Sequence, residues 1–255
     1  MKATADARRA LACLDLTSLN DADGPDAVEA LCRRAAGPWG RVAAVCVWPR
    51  LAATARRSAP AGVAVAAVAN FPAGGLDVAA CLAEVGLIRD SGGEEVDLVL
   101  PWRAVKSGDS AAAAALVRAV RRATQGLRLK LIIESGELEQ PGWIREACRI
   151  GLDEGVDFLK TSTGKTPRGA TPQAAEIMLQ CIADDAAAAG RVGFKASGGV
   201  RTVADAALYL DLADRILGAP AVTPARFRLG ASSLLNDIES VLSGEGRASA
   251  PADTY

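Results

Sequence analysis

The sequence predicts an α/β protein, a single (β/α)8 TIM barrel with extra N-terminal helices, on three observations. Short apolar runs alternate with longer amphipathic segments from about residue 42 onward. Such alternation indicates parallel strands joined by crossover helices. Eight runs can be counted, and a chain of 255 residues is the usual size for one closed barrel.

The expected strands are 42–47, 63–69, 95–100, 129–133, 157–160, 192–195, 215–217 and 226–229. Each is a short apolar run bounded by glycine, proline or a polar cluster. Helices are expected around 50–58, 75–90, 110–124, 141–151, 172–189, 202–211 and 232–242. Several carry start signals. Asp109 or Ser110 can cap 110–124, Thr171-Pro172 pairs an N-cap with proline in the first turn, and Thr202 is followed by Asp205 three residues on. Segment 218–225, GAPAVTPA, is too short and proline-rich for a full helix and reads as a turn or helical stub. Residues 1–40 precede the first expected strand and read as a helical extension, with helices at 5–13 and 25–36. Residues 243–255 are polar and rich in Gly and Pro, so they read as a loosely ordered tail on a single domain, 1–255.

Composition removes several function classes. Hydrophobic residues make up 50% and charged residues 23%, ordinary proportions for a globular protein, but only 4% are aromatic. With a net charge of −1 and no basic cluster, there is no electrostatic footprint for nucleic acid or an anionic membrane. No run approaches the roughly 20 apolar residues of a membrane span, and the charged N-terminus does not read as a secretory signal. Six dispersed cysteines without a CxxC pair read as free thiols in a reducing cytoplasm. There is no histidine, which excludes Ser-His and Cys-His nucleophiles and HExxH zinc sites, and makes a zinc or iron site unexpected.

Lysine usage points toward a function. The chain has six lysines against 23 arginines, so arginine serves as its general surface cation. Three of the six, Lys130, Lys160 and Lys195, lie at the boundaries of apolar strands. A lone lysine after a strand usually snorkels or completes a salt bridge. Two at neighbouring strand ends, Lys160 and Lys195, suggest more. One ammonium beside another lowers one pKa, and burial acts in the same direction. A neutral amine can then form a Schiff base with a carbonyl. Asp97, in EEVDLVLP, is a candidate proton-transfer group that Lys130 on the next strand can hold ionised.

Glycine-rich segments follow the strands: TSTGK (161–165), ASGGVR (196–201) and GASS (230–233). Gly198 and Gly199 precede a helix expected near Thr202, and GASS precedes the last helix, so backbone N–H groups can meet an anion there. Phosphate sites in these barrels commonly use the loops after the last strands, and Lys165 can add a cation. TSTGKTP is not a P-loop, because the glycine required five residues before Gly164 is Leu159.

At these residues the chain resembles the deoxyribose-phosphate aldolases. LDLTSLND (14–21), AVCVWPR (44–50), ANFPAG (69–74), EEVDLVLPWRA (94–104), LKLIIESGEL (129–138), DFLKTSTGK (157–165), VGFKASGGVR (192–201) and RLGASS (228–233) carry the likeness, in the family's order over nearly the whole chain. The resemblance implies a class I aldolase that cleaves 2-deoxy-D-ribose 5-phosphate to acetaldehyde and D-glyceraldehyde 3-phosphate, with no cofactor and no metal. It implies Lys160 as the Schiff-base nucleophile, Lys195 as the lysine that tunes it, Asp97 with a water as acid and base, and Lys130 as support for Asp97. Thr17, Asn20, Cys46 and Thr163 would line the pocket. Gly164, Lys165, Gly198, Gly199, Val200, Arg201, Gly230, Ser232 and Ser233 would surround the phosphate. Its expected partners are phosphosugar and aldehyde substrates, with a homodimer as the assembly common among relatives. Some relatives end in tyrosine, and by that analogy Tyr255 reaches the active site; the same residues read equally as a disordered end. Another phosphosugar lyase using the same Schiff base, or a non-catalytic sugar-phosphate-binding barrel, are the alternatives.

Overall fold

The structure, a computed structural model, describes residues 1–244. Eight parallel strands close into one barrel: β1 (Leu14–Thr17), β2 (Ala44–Val47), β3 (Ala64–Ala69), β4 (Glu95–Val99), β5 (Arg128–Ile132), β6 (Phe158–Lys160), β7 (Gly193–Ser197) and β8 (Phe227–Ala231). Each pairs with its sequence neighbours, and β1 pairs with β8 to close the ring. A small antiparallel pair, Ala36–Gly37 with Gly40–Arg41, stands apart from the barrel.

The eight-strand count is right, and seven of the expected positions match; one expected strand is absent and one barrel strand was not expected. Leu14–Thr17, expected inside a helical extension, is the first barrel strand, hydrogen-bonded between β8 and β2. It is four residues long and carries Asp15 at its centre, so no continuous apolar run marks it. Helices Lys2–Ala12 (α1) and Pro25–Arg34 (α2) flank it. Conversely, 215–217 is the last turn of the helix Val203–Leu217 rather than a strand. Val203, Ala206, Tyr209, Leu210 and Ala213 are buried, and Ile216 and Leu217 continue that face. Arg215 points outward to Glu176 at 2.9 Å, and Gly218, at φ 84°, ends the helix.

The capping signals hold. Asp109 Oδ1 accepts from the Ala112 N–H, Thr171 Oγ1 from the Ala174 N–H, and Thr202 with Asp205 forms a full capping box. Segment 218–225 contains a single 3-10 turn, Ala219–Ala221. Two short helices, Trp102–Lys106 and Ser135–Leu138, were not anticipated. Among the described residues no helix is long and apolar enough to cross a membrane.

Strand parity separates two interiors. Val45, Val65, Val96, Leu98, Leu129, Leu131, Leu159, Phe194 and Leu229 face the helices and form the main apolar core. Alternate positions face the barrel axis, and there the chain places charge: Asp15, Glu95, Asp97, Lys130, Lys160, Lys195 and Arg228, all buried. Contacts between non-adjacent strands, such as Asp97 on β4 with Lys195 on β7, cross the barrel and confirm that these side chains point inward. A small apolar cluster, Leu19, Cys46, Ala66 and Val68 with Trp48 and Phe71, packs separately from the main core.

Candidate active site

Register brings the lysines together. Lys160 lies directly opposite Lys195 across β6 and β7, and Asp97 opposite Lys130 across β4 and β5. Asp97 accepts from three ammonium groups: Lys130 on Oδ1 at 2.7 Å, and both Lys160 and Lys195 on Oδ2 at 2.8 Å. Lys195 Nζ also donates to Asp15 Oδ2 at 2.5 Å. Asp15 Oδ1 accepts from Arg228, whose guanidinium also reaches Glu95 Oε1 at 2.8 Å. Glu95 Oε2 in turn lies 2.6 Å from Lys130. The result is a closed ring of alternating charge: Asp97, Lys130, Glu95, Arg228, Asp15, Lys195 and back to Asp97.

That ring is neutral by itself, with three carboxylates and three cations. Lys160 is the surplus. Among the described residues its one ion-pair partner is Asp97, whereas Lys130, Lys195 and Arg228 each bridge at least two carboxylates. The ionisation follows this count. Burial, with the Lys195 ammonium close by, pushes the Lys160 amine below its usual value, although Asp97 pulls the other way. Burial also disfavours the Lys195 cation, but Asp15 and Asp97 more than offset it and hold that pKa high. Lys130 is raised too, since Asp97, Glu95 and Asp15 outweigh its burial. For Asp97, burial is overcome by Lys130, Lys160 and Lys195, which keep the carboxyl well below the ordinary range. For Asp15, burial is overcome first by Arg228 and then by Lys195 and Lys130. The two neighbouring lysines thus diverge, and the one facing the cavity is the one that loses its proton more readily.

Two glycines make room for this packing. A Cβ at Gly230 would lie 2.9 Å from Lys195 Cε and 2.8 Å from Ser197 Cβ. One at Gly193 would meet the Phe158 ring at 2.5 Å. Phe158 sits two residues before Lys160, beneath the ring, with the Arg128 and Arg228 guanidinium groups each 5.7 Å from its centroid.

Lys160 opens onto a cavity of about 340 Å³ at the C-terminal ends of the strands. Of the residues expected there, Thr17, Asn20, Thr163, Gly164, Lys165, Gly198, Gly199, Val200, Arg201, Gly230, Ser232 and Ser233 all line it. Cys46 does not. It is fully buried in the small apolar cluster, with Sγ 4.0 Å from Asp97 Oδ2, and burial raises its thiol pKa. Tyr255 lies outside the described residues.

Among the described residues, the cavity lining contains three cations, Lys160, Lys165 and Arg201, and no carboxylate. Lys165 and Arg201 are exposed at the rim and, among the described residues, neither is in an ion pair. Gly164, Gly198 and Gly199 take φ of 78°, 84° and 87°, and a Cβ on Gly198 would approach Gly169 Cα at 3.0 Å. Their positive φ turns the backbone of two loops around one space. One expected anion feature is absent. The N-terminus of the helix Val203–Leu217 is already occupied, because Asp205 accepts from the N–H groups of Arg201 and Thr202, and Asp237 from that of Val203. The helix Leu234–Ser243, by contrast, has no side-chain cap from Ser233.

Four site residues were not singled out from sequence: Asp15, Glu95, Arg228 and Glu134. Asp15 and Glu95 left a signal, since each shares its strand face with a polar residue two along, Thr17 and Asp97, whereas Arg228 has only Gly230 there. Glu134 left none. It is buried at φ 55°, accepts the Thr163 hydroxyl at 2.6 Å, and so ties the loop after β6 to the loop after β5. Burial raises its pKa.

Comparison with known proteins identifies the family. The model of the DeoC/LacD family aldolases matches residues 9–240. The chain is 45% identical over 237 residues to a deoxyribose-phosphate aldolase of Agrobacterium fabrum, covering 92% of this chain and 90% of that one. A Toxoplasma gondii ME49 crystal structure superposes with a TM-score of 0.86 at 24% identity, covering 94% and 95% of the two chains. A tetrameric deoxyribose phosphate aldolase of Aeropyrum pernix gives 0.72 at 24%, covering 95% and 96%. These two bear on the fold alone. With a family match across most of its length and a close relative covered almost end to end, the chain belongs to the DeoC/LacD family of aldolases.

Proposed function

We propose that the protein is a class I aldolase that cleaves 2-deoxy-D-ribose 5-phosphate reversibly to D-glyceraldehyde 3-phosphate and acetaldehyde. The observation that carries this reading is Lys160: it is the surplus cation of the charged interior and faces a cation-lined cavity of sugar-phosphate size.

The free amine of Lys160 adds to the C1 aldehyde, and the carbinolamine loses water to give an iminium. The iminium accepts the C2–C3 bonding electrons as the C3 hydroxyl gives up its proton, releasing glyceraldehyde 3-phosphate and leaving an enamine. Protonation at C2 and addition of water free acetaldehyde and restore the amine. Asp97, held ionised by its three ammonium neighbours, receives and returns protons through a water. Lys195, held charged, keeps a second positive centre beside the iminium carbon and favours electron flow toward nitrogen. Lys130 fixes Asp97, while Lys165, Arg201 and the Gly198–Gly199 backbone receive the phosphate. The proposal extends to a cytoplasmic location, on the dispersed free cysteines, and to a homodimer, on the family resemblance.

Incubation with acetaldehyde and borohydride, followed by peptide mapping, should place an N-ethyl group on Lys160. A Lys160→Leu variant should form no adduct and turn over no substrate. An adduct elsewhere, or activity retained by that variant, would remove the mechanism. Turnover of 2-deoxyribose 5-phosphate should exceed that of ribose 5-phosphate and fructose phosphates; the reverse order would leave the Schiff base standing and change the substrate.

A further inference from the structure

We propose that Arg228 and Glu95, which do not line the cavity, are positioning residues that close the charged ring beneath Lys160 and thereby set the pH range in which its amine is a free base. The inference rests on the reading of Lys160 as a Schiff-base nucleophile and goes beyond it to what tunes that nucleophile.

The geometry is specific. Arg228 Nη1 binds Asp15 Oδ1 and Nη2 binds Glu95 Oε1, so one guanidinium bridges β1 and β4 across the barrel. Glu95 then engages Lys130, and Lys130 engages Asp97. Without Arg228 the interior would hold three carboxylates and two ring cations, and Lys160 would be needed as the third counter-ion. Without Glu95 it would hold two carboxylates and three ring cations, and Lys160 would be still more surplus. The two halves of one ion pair therefore have opposite effects on a lysine that neither touches.

Other charges around Lys160 do not disturb this sign. Asp97 on β4 binds it directly, Lys195 on β7 lies opposite it in register and shares Asp97 Oδ2, and Cys46 on β2 and Glu134 after β5 lie within electrostatic range. Glu134 is engaged by Thr163 and Thr166 rather than by a cation. Arg128 on β5 reaches Glu95 at 2.6 Å from a partly exposed position and acts in the same direction as Arg228, more weakly.

The test is the pH dependence of borohydride trapping of acetaldehyde at Lys160, read by mass spectrometry in the full-length protein. Its midpoint should rise by about half a pH unit or more in Arg228→Met and fall by a similar amount in Glu95→Gln. It should return near the wild-type value in Arg228→Lys, which restores the charge. Arg128→Gln, at a half-exposed site that leaves the ring intact, should give a smaller upward shift and decides the matter if Arg228→Met does not fold. A purely structural role would lower thermal stability and trapped amplitude in both variants with the midpoint unmoved. Unmoved midpoints, or shifts of the same sign in the cation and carboxylate variants, overturn the inference. Absence of an adduct on Lys160 in the wild type would instead overturn the proposed function.

Discussion

Replacing Gly230 with alanine tests how tightly the interior is built. Gly230 lies on β8 opposite Ser197 of β7 and Asp15 of β1. An added methyl would sit 2.8 Å from Ser197 Cβ and 2.9 Å from Lys195 Cε. Non-bonded carbons rest at about 3.5–4.0 Å, so each contact is short by roughly 0.6 Å or more. Ser197 cannot yield easily, because its Cβ moves only with the strand and its hydroxyl is bound to the Ser162 carbonyl. Lys195 can yield, but only by withdrawing Nζ from Asp15 at 2.5 Å and Asp97 at 2.8 Å. A retreat of about half an ångström takes the Asp97 bond past the roughly 3.2 Å limit of a good hydrogen bond. Overpacking of this kind costs about 1–3 kcal/mol, and at this chain length each kcal/mol lowers Tm by about 2–4 °C. Misplacing a catalytic group by about 1 Å can cost on the order of 100-fold in rate. Scanning calorimetry and a coupled assay of released glyceraldehyde 3-phosphate should therefore show a Tm lower by several degrees and a kcat down by about one to two orders of magnitude. KM should change less than kcat. A variant with wild-type Tm and kcat would refute the claim that Lys195 is held in place by this contact.

Two further outcomes follow from the site. Lys165→Ala and Arg201→Ala should each raise KM for the phosphorylated substrate about tenfold or more, the expected loss of a charge-assisted contact, while leaving turnover of unphosphorylated 2-deoxyribose unchanged; equal losses on both substrates would remove the phosphate assignment. Acid stability should also track the ring. Lys130 and Arg228 overcome burial to hold the Glu95 carboxyl down to about 2, and Asp15 and Asp97 are also depressed. A depressed carboxylate stabilises the fold above its unfolded value and loses that contribution as pH falls toward its folded value. Tm should hold from neutrality to about pH 5 and decline below that, and Glu95→Gln, already less stable, should decline less steeply. A parallel decline would show that Glu95 contributes nothing to the acid transition.

The barrel was readable because its outer faces obey simple rules. Strands such as Ala64–Ala69 are apolar throughout, and helices such as Ser110–Ala123 announce their starts with Asp109. What escaped notice did so for a physical reason. Leu14–Thr17 does not look like a strand because its inward position is spent on Asp15 rather than on an apolar residue. Arg-Ile-Leu at 215–217 looks like one because three residues cannot reveal the helical period that extends from Val203. Lys160, Lys195 and Asp97 stood out as chemistry, but their counter-ions did not. Asp15 and Lys195 are 180 positions apart, and Asp15 and Arg228 are 213 apart. Only barrel closure, which joins β1 to β8, makes them neighbours. A clue was present nonetheless: Glu95 with Asp97, and Arg128 with Lys130, are two apart on their strands and so share the inward face.

On the proposed mechanism, the same arrangement accounts for more than one lysine in the site. A Schiff base requires a neutral amine, and the proton transfers that follow require an ionised carboxylate beside it. Those demands conflict in an isolated pair, because a carboxylate at 2.8 Å holds an amine charged. Here Asp97 divides its charge among three ammonium groups, and two of them, Lys130 and Lys195, are anchored from behind by Glu95 and Asp15. Asp97 thus remains ionised whether or not Lys160 carries a proton. Arginine at position 130 or 195 could supply charge, but its planar fork is far larger than the ammonium that shares one Asp97 oxygen with Lys160. The scarce lysines are concentrated here because several compact cations must meet around one carboxylate, and only the one without a second anchor is free to give up its proton.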